Sequence, residues 1–526
     1  MKRRSFIRST AGAAVSLPFI IPGMKMAALP DAGLFGRVRR DQTDRILVII
    51  QLNGGNDGLN MLVPRDQYAN LLQARPEVAL PENQILDLTT ETGLHPAMAG
   101  IRNLFQNGRA AFVQSVGYPN QNRSHFRSMD IWTSASPADA YWGTGWAGRY
   151  LDTRFSGYPE GYPSAEHPDP FAISIGNTVS ETCQGVATNY SLALQDPFKL
   201  TQLFEDEEEA VPDSRYGREL SYLRTTVAQS NAYAESILEA ANMGNNLADY
   251  PRQNLLARQL ETVALLISGG LQTRIYIVSL GGFDTHANQV DRSDPTEGRH
   301  GELLLELSEA IAAFDSDMDQ LGYGGRVLGM TFSEFGRQIR SNDSLGTDHG
   351  TAAPLILFGG CTQGDIIGHN PTIPGDVAPQ DGVPMQFDFR DVYGSVLMDW
   401  FGVEEQELRA ILHPDFQYLP VLAGCQTDPA RLNNRQGIRL ESAVEASAFP
   451  NPFAEWTTIA YQHPGGQVKI SILDSLGREI RVLSSQNLGP GKYQFPFEGR
   501  GLAPGNYYFR IAQEGGVQQT FHLVKQ

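Results

Sequence analysis

Five apolar runs recur along the chain, most of them closing on glycine: RILVIIQLNGG (45–55), AAFVQSVG (110–117), RIYIVSLGG (274–282), RVLGMTFSEFG (326–336) and PLILFGG (354–360). Continuous runs of this kind mark strands buried on both faces of a parallel sheet, not half-exposed strands. Helical patterns fall between them. HPAMAGIRNLFQNG (95–108) is one, long stretches around 216–268 are others, and GELLLELSEAIAAFDSDMDQLG (301–322) places Leu303, Leu307, Ile311 and Phe314 at helical spacing. The alternation predicts an α/β domain with a mostly parallel sheet and helices on both faces. Ligands of such a sheet gather at the carboxyl ends of its strands.

The two ends of the chain read differently. From 446 onward, short alternating segments such as Val468, Ile470, Ile472 and Tyr493, Phe495, Phe497 are separated by Gly and Pro turns, which predicts a small all-β sandwich. Its PNPF start, DSLGREI hairpin and LAPGNYYFRI strand resemble the C-terminal sorting domain of the type IX secretion system. At the other end, Lys2, Arg3 and Arg4 precede a short Ala-rich apolar stretch, the layout of an export signal. Arg3-Arg4 followed by Ser5, Phe6 and Ile7 resembles a twin-arginine signal. The expected organisation is a signal over 1–30, an α/β domain over 44–425, a linker over 426–445 and the sandwich over 446–526. The expected location is outside the inner membrane, secreted or on the cell surface, reached through the twin-arginine and type IX machineries.

Composition narrows the partners. The 526 residues carry a formal net charge of -18, which argues against nucleic acid, because phosphate backbones need clustered Lys and Arg. No apolar run is long enough for a transmembrane helix. Cys183, Cys361 and Cys425 are odd in number and lack CxxC spacing, so neither a disulfide framework nor a zinc ribbon is indicated.

The strand ends carry the candidate chemistry. NGGNDGLN holds Asp57, GGFDTHANQ holds Asp284 and His286, FSEFGR holds Glu334, and GTDHG holds Asp348 and His349. Mixed carboxylates and imidazoles suit zinc, manganese or iron better than calcium. Each has a plain alternative. Asp57 also fits a turn, Asp284 a helix cap, His286 a loop, and Glu334 a solvated ion pair with Arg337 or Arg340. The aromatic segment DAYWGTGWAGRY, with Tyr141, Trp142 and Trp146 near Trp132, fits either stacking on a sugar ring or ordinary packing.

LVIIQLNGGNDGLNMLVP, NRSHFRSMDIW, GGFDTHANQ, TFSEFGRQIRSN and TDHGTAAPLILFGG together resemble, in order, the exported bacterial family known as domain of unknown function 1501, itself similar to the alkaline phosphatase and sulfatase superfamily. The resemblance covers roughly residues 44–425. It implies an alkaline phosphatase-like sheet carrying two divalent ions, zinc or manganese. Asp57, Asp284, His286, Glu334, Asp348 and His349 are the implied ligands, with Glu334 alternatively a carboxylate that fixes a histidine. It further implies Ser124 as nucleophile or helix cap, His125 as ligand or general acid, and Arg123 and Arg127 as substrate-binding groups. No Cys lies near Ser124, so phosphate esters rank above sulfate esters. The implied function is an exported metal-dependent hydrolase acting on an anionic small-molecule or glycan ester. The alternatives are a non-catalytic extracellular or surface binding protein on the same fold, and a sulfate-ester hydrolase.

Overall fold

Alternate residues of the strand Ile46–Asn53 enter different hydrophobic cores in the computed structural model. Ile46, Val48, Ile50 and Leu52 face one cluster, while Leu47 and Ile49 face the other. A strand flanked by two cores must be apolar throughout, which is why the run lacks alternation. Leu47, Val48, Ile49 and Ile50 are at most 1% exposed, a burial that contributes about 1.5–3 kcal/mol for each large aliphatic side chain.

The structure describes residues 44–200, 214–422 and 446–526, apart from 464, 475–477, 490 and 514–517. The expected signal, the linker and Cys425 lie outside the described residues. The chain divides into two compact units, Met1–Gln426 and Thr427–Gln526.

In the first unit the central sheet is nine-stranded. The strands Ile275–Gly281 and Val327–Ser333 pair in parallel on either side of Ile46–Asn53, with Val48 opposite both Tyr276 and Gly329. Ala172–Ile175 and Ser191–Leu194 continue the parallel sheet on one side. On the other side Ala353–Gly359 lies between Val327–Ser333 and Ala110–Gly117 and runs antiparallel to both. That orientation corrects the reading of PLILFGG as one more parallel strand. Helices Ala99–Gln106, Leu255–Ser268 and Arg299–Gln320 cover one face, burying Leu303, Leu307, Ile311 and Phe314 as their spacing predicts. Helices His125–Ser134, Trp146–Arg154 and Phe389–Phe401 cover the other. The fold is thus a mixed, mostly parallel α/β sheet with helices on both faces. Cys183 is a buried free thiol, whereas Cys361 is disulfide-bonded, a cross-link that spacing did not indicate.

The second unit holds two antiparallel sheets, of three and four strands. Val468, Ile470, Ile472, Phe509 and Ile511 from one and Ile459, Tyr461 and Phe497 from the other share a single core. The period-two pattern is therefore read correctly as an all-β sandwich. No helix among the described residues is long and apolar enough to cross a membrane.

Candidate metal centre

Three parallel strands deliver their loops to one edge of the sheet: Ile46–Asn53 leads into Gly54–Asp57, Ile275–Gly281 into Asp284 and His286, and Val327–Ser333 into Glu334. Asp348 and His349 reach the same edge by a different route. They precede the strand Ala353–Gly359, and because it is antiparallel its beginning lies where its neighbours end. His125 comes from the first turn of the helix that follows Ala110–Gly117.

Their side chains converge. His286 Nε2 and His349 Nε2 are 2.8 Å apart, and lie 3.2 and 3.3 Å from Asp284 Oδ1. His125 Nε2 is 3.5 Å from Asp284 Oδ2. Ligand atoms of His125, Asp284 and His349 all fall within 4.8 Å of one another, a spacing that can hold a metal ion. Phe335 packs against the rings of His125 and His349 and walls off one side. Asp284 stays 49% exposed, so the other side is open to water.

Each imidazole is oriented from behind. His125 Nδ1 lies 2.8 Å from Glu334 Oε1, His286 Nδ1 2.8 Å from Asp348 Oδ1, and His349 Nδ1 2.8 Å from the carbonyl oxygen of Arg123. A carboxylate or carbonyl only accepts, so each Nδ1 carries the proton and donates it. In the neutral ring Nε2 is then left with its lone pair, the arrangement in which a second carboxylate or carbonyl makes imidazole a better metal ligand. Burial, with the charges of Arg337 and His125, lowers the His349 pKa and keeps that ring neutral. Two lone pairs 2.8 Å apart repel unless a proton or a metal ion sits with them. His125 Nε2 is buried and has no hydrogen-bond partner at all. The donor set and this orphaned nitrogen together fit a cation.

Arg337 assembles the frame. Its fully buried guanidinium donates to the carbonyls of Gly54, Gly55, Phe283 and Thr347 and, at 2.8 Å, to Asp284 Oδ1. One side chain thus ties together the loops after two strands and the loop before a third. Burial pushes the Asp284 carboxyl up, but the hydrogen bond and charge of Arg337, with His349 and His286, outweigh that and hold it below the ordinary range. Gly54 permits the close approach: its φ is +122°, and a Cβ there would lie 2.3 Å from the Asp284 nitrogen.

Comparison with known proteins follows the same residues. Residues 44–387, which contain this whole cluster, match the model described as "Protein of unknown function (DUF1501)". The chain belongs to the DUF1501 family. Residues 447–526 match the secretion system C-terminal sorting domain. This DUF1501 protein is therefore exported, to the cell surface or beyond it. No curated protein matches. Among solved structures, a protein in the alkaline phosphatase superfamily from Vibrio parahaemolyticus is 9% identical, with 91% of this chain and 82% of that one covered at a TM-score of 0.32. The PsFucS1 sulfatase from Pseudoalteromonas sp. is 10% identical, with coverage of 86% and 83% and a TM-score of 0.33. PorZ from Porphyromonas gingivalis, a surface component of the type IX secretion system, is 15% identical over 20% of this chain and 13% of its own, with a TM-score of 0.13.

Several expected site residues of this DUF1501 chain stand apart from the cluster. Asp57 is 1% exposed, and its oxygens accept from Arg75 at 2.9 and 2.7 Å and from Gln289 at 2.6 Å. Burial raises its pKa, yet Arg75 and His300 more than reverse that and hold it low. Arg127, expected to bind substrate, is buried against Asp130 and the carbonyls of Pro137, Ala138 and Ala140. Arg123 is half-buried and donates to the Gln380 carbonyl at 2.8 Å. Ser124 occupies the N-cap position but makes no capping bond, and its side chain is exposed. Glu334 meets His125, Gly54 and Ser333, not Arg337 or Arg340 as the ion-pair alternative had it. The sequence offered Arg337 only as one half of a solvated ion pair, the alternative reading of Glu334. The signal for its burial, four loop carbonyls in need of donors, exists only in the folded chain.

Proposed function

We propose that His125, Asp284, His286 and His349 hold one divalent transition-metal ion, and that the protein is an exported metal-dependent hydrolase of a phosphate ester. The convergence of three Nε2 atoms on Asp284, with each Nδ1 already bonded behind, is the observation that carries this reading. Three imidazoles and one carboxylate favour zinc over manganese. One ion suits the donors better than the two expected from sequence. Asp57 is taken up by Arg75, while Glu334 and Asp348 each face an Nδ1 proton.

A bound ion would supply Lewis acidity toward an ester oxygen and lower the pKa of an attacking hydroxyl or water. The chain's own groups do the rest. Asp348 and Glu334 fix the tautomers of His286 and His125, and Arg337 sets Asp284 in place. Ser124 sits at the N-terminus of the helix His125–Ser134, where free backbone N–H groups favour an anionic substituent. Its hydroxyl, unused as a cap, is available as the nucleophile. A serine here, with no Cys beside it, favours phosphate over sulfate esters.

Metal analysis of the purified protein, coupled to assays with p-nitrophenyl phosphate, bis(p-nitrophenyl) phosphate and p-nitrophenyl sulfate, tests the reading. The expectation is about one equivalent of zinc, phosphate-ester turnover abolished by chelation and restored by zinc, and loss of both metal and activity in His286→Ala. Absence of bound metal would overturn the site. Bound metal with no turnover of any ester would leave a binding protein instead of an enzyme.

A further inference from the structure

The helix His125–Ser134 presents two faces to different surroundings. His125 and Ser128 reach across to Glu334 on one side. On the other, Phe126, Arg127 and Asp130 line a cleft of ≈ 920 Å³ whose far wall is the loop 176–181 after the strand Ala172–Ile175. That volume lies within the range of about 300–1,000 Å³ usual for ligand sites.

Two aromatic rings stand at this cleft largely uncovered: Phe126 is 91% exposed and Tyr141 75%. Tyr141 is nonetheless held in place. The Arg127 guanidinium lies 3.8 Å from its ring centroid, and Arg127 is itself locked by Asp130 and three carbonyls. Trp132 and Trp146 of the same aromatic-rich segment are instead buried in the core, at 3% and 1% exposure. Within the cleft, Asp130 and Glu181 offer carboxylates, and the Ser174 hydroxyl is buried with no hydrogen-bond partner although the residue lines the cavity. A buried hydroxyl left unpaired costs about 1–3 kcal/mol, a cost that a ligand bonded to it would remove.

We propose that this cleft binds an uncharged saccharide, stacked on Phe126 and Tyr141 and hydrogen-bonded at its edge to Asp130, Glu181 and Ser174. A sugar ring matches both features at once, with a flat C–H face for the aromatic planes and hydroxyls for the polar groups. A polyanion would meet two carboxylates. A cation would meet the like charge of the Arg127 guanidinium, which lies over one face of the Tyr141 ring and leaves the other free. A purely apolar ligand would cover Glu181 and leave the Ser174 hydroxyl unpartnered. Ser124 also lines this cleft, but none of His125, Asp284, His286 and His349 does, so the proposal does not depend on a bound metal ion.

The test is binding of the full protein to an array of neutral hexasaccharides built from glucose, mannose, xylose and galactose, followed by calorimetry with the best binder. Hexalysine and a sulfated hexasaccharide serve as charged comparisons. Neutral binding should be equal in zinc-loaded and chelator-treated protein. Phe126→Ala and Tyr141→Ala should each weaken it about three- to tenfold, with melting curves unchanged because both rings are exposed. No neutral binder, tighter binding of either charged probe, or full affinity in the double variant would overturn the site.

Discussion

Two groups of histidine and carboxylate lie near the carboxyl end of the central strand, and they have opposite characters. Around Asp57, Arg75, Gln289, His300 and His95 everything is buried, and both oxygens of Asp57 meet donors. Around Asp284, His125, His286 and His349 the carboxylate is half-exposed, and three imidazole nitrogens converge on it, that of His125 without a hydrogen bond. Residue type is nearly the same in both. The difference lies in which polar atoms are already satisfied and whether water or a ligand can reach the rest. Dry, and paired apart from a buried His300 Nδ1 that has no hydrogen-bond partner, the first group holds the scaffold; open to water, the second has capacity for a ligand.

Breaking the buried group should have the largest effect. Arg75→Met leaves the Asp57 carboxylate buried without its partner and should cost about 3–5 kcal/mol in urea unfolding. A loss below about 1 kcal/mol, or loss of bound metal at unchanged stability, would put Asp57 in the other group.

Acid should sharpen the contrast next. Burial lowers the pKa of His300 to about 4 and of His95 to about 3, with Arg75 and Arg337 further disfavouring the charge on His300 and Asp57 favouring protonation of both rings. The unfolded chain takes up these protons near pH 6.5 and the folded chain does not, so the unfolded state binds more protons below that value. Stability is therefore fully present above about pH 6.5 and declines toward pH 4, by at most about 1.4 kcal/mol per pH unit for each histidine. Asp57, held low by Arg75, adds its own loss only below about pH 4. Urea unfolding in chelator across this range should show the slope, and His300→Asn should reduce it by nearly one proton. An unchanged slope would mean that His300 is not the group excluded from protonation.

In the open group the effects move from stability to ligand affinity. Glu334→Gln removes the carboxylate behind His125 and should weaken zinc binding about 10–100-fold, measured by chelator competition. The same change leaving zinc affinity intact would detach His125 from the centre. Smallest in stability is Ser124→Ala, expected within about 0.5 kcal/mol because the hydroxyl caps nothing. Its ester turnover should nevertheless fall at least about 100-fold if the hydroxyl is the nucleophile. Wild-type turnover in this variant would hand the attack to water.

Much of the scaffold is determined by the sequence alone. The apolar runs, the helical spacing of Leu303, Leu307, Ile311 and Phe314 and the alternation of Val468, Ile470 and Ile472 each report burial of local side chains, and burial is periodic along a strand or helix. The loops that carry chemistry are legible for the same reason, since they directly follow or precede those runs. The sorting of the polar residues is not. Whether Asp57 is a ligand or an ion-pair partner depends on Arg75, and whether Arg337 is solvated or buried depends on carbonyls of Gly54, Phe283 and Thr347 from three separate loops. Asp348 and His349 join the edge only because Ala353–Gly359 runs antiparallel. Hydrogen-bond satisfaction has no period along the chain. It is settled by partners that only tertiary packing brings within reach, and here it separates the atoms that hold the protein together from those left free to bind.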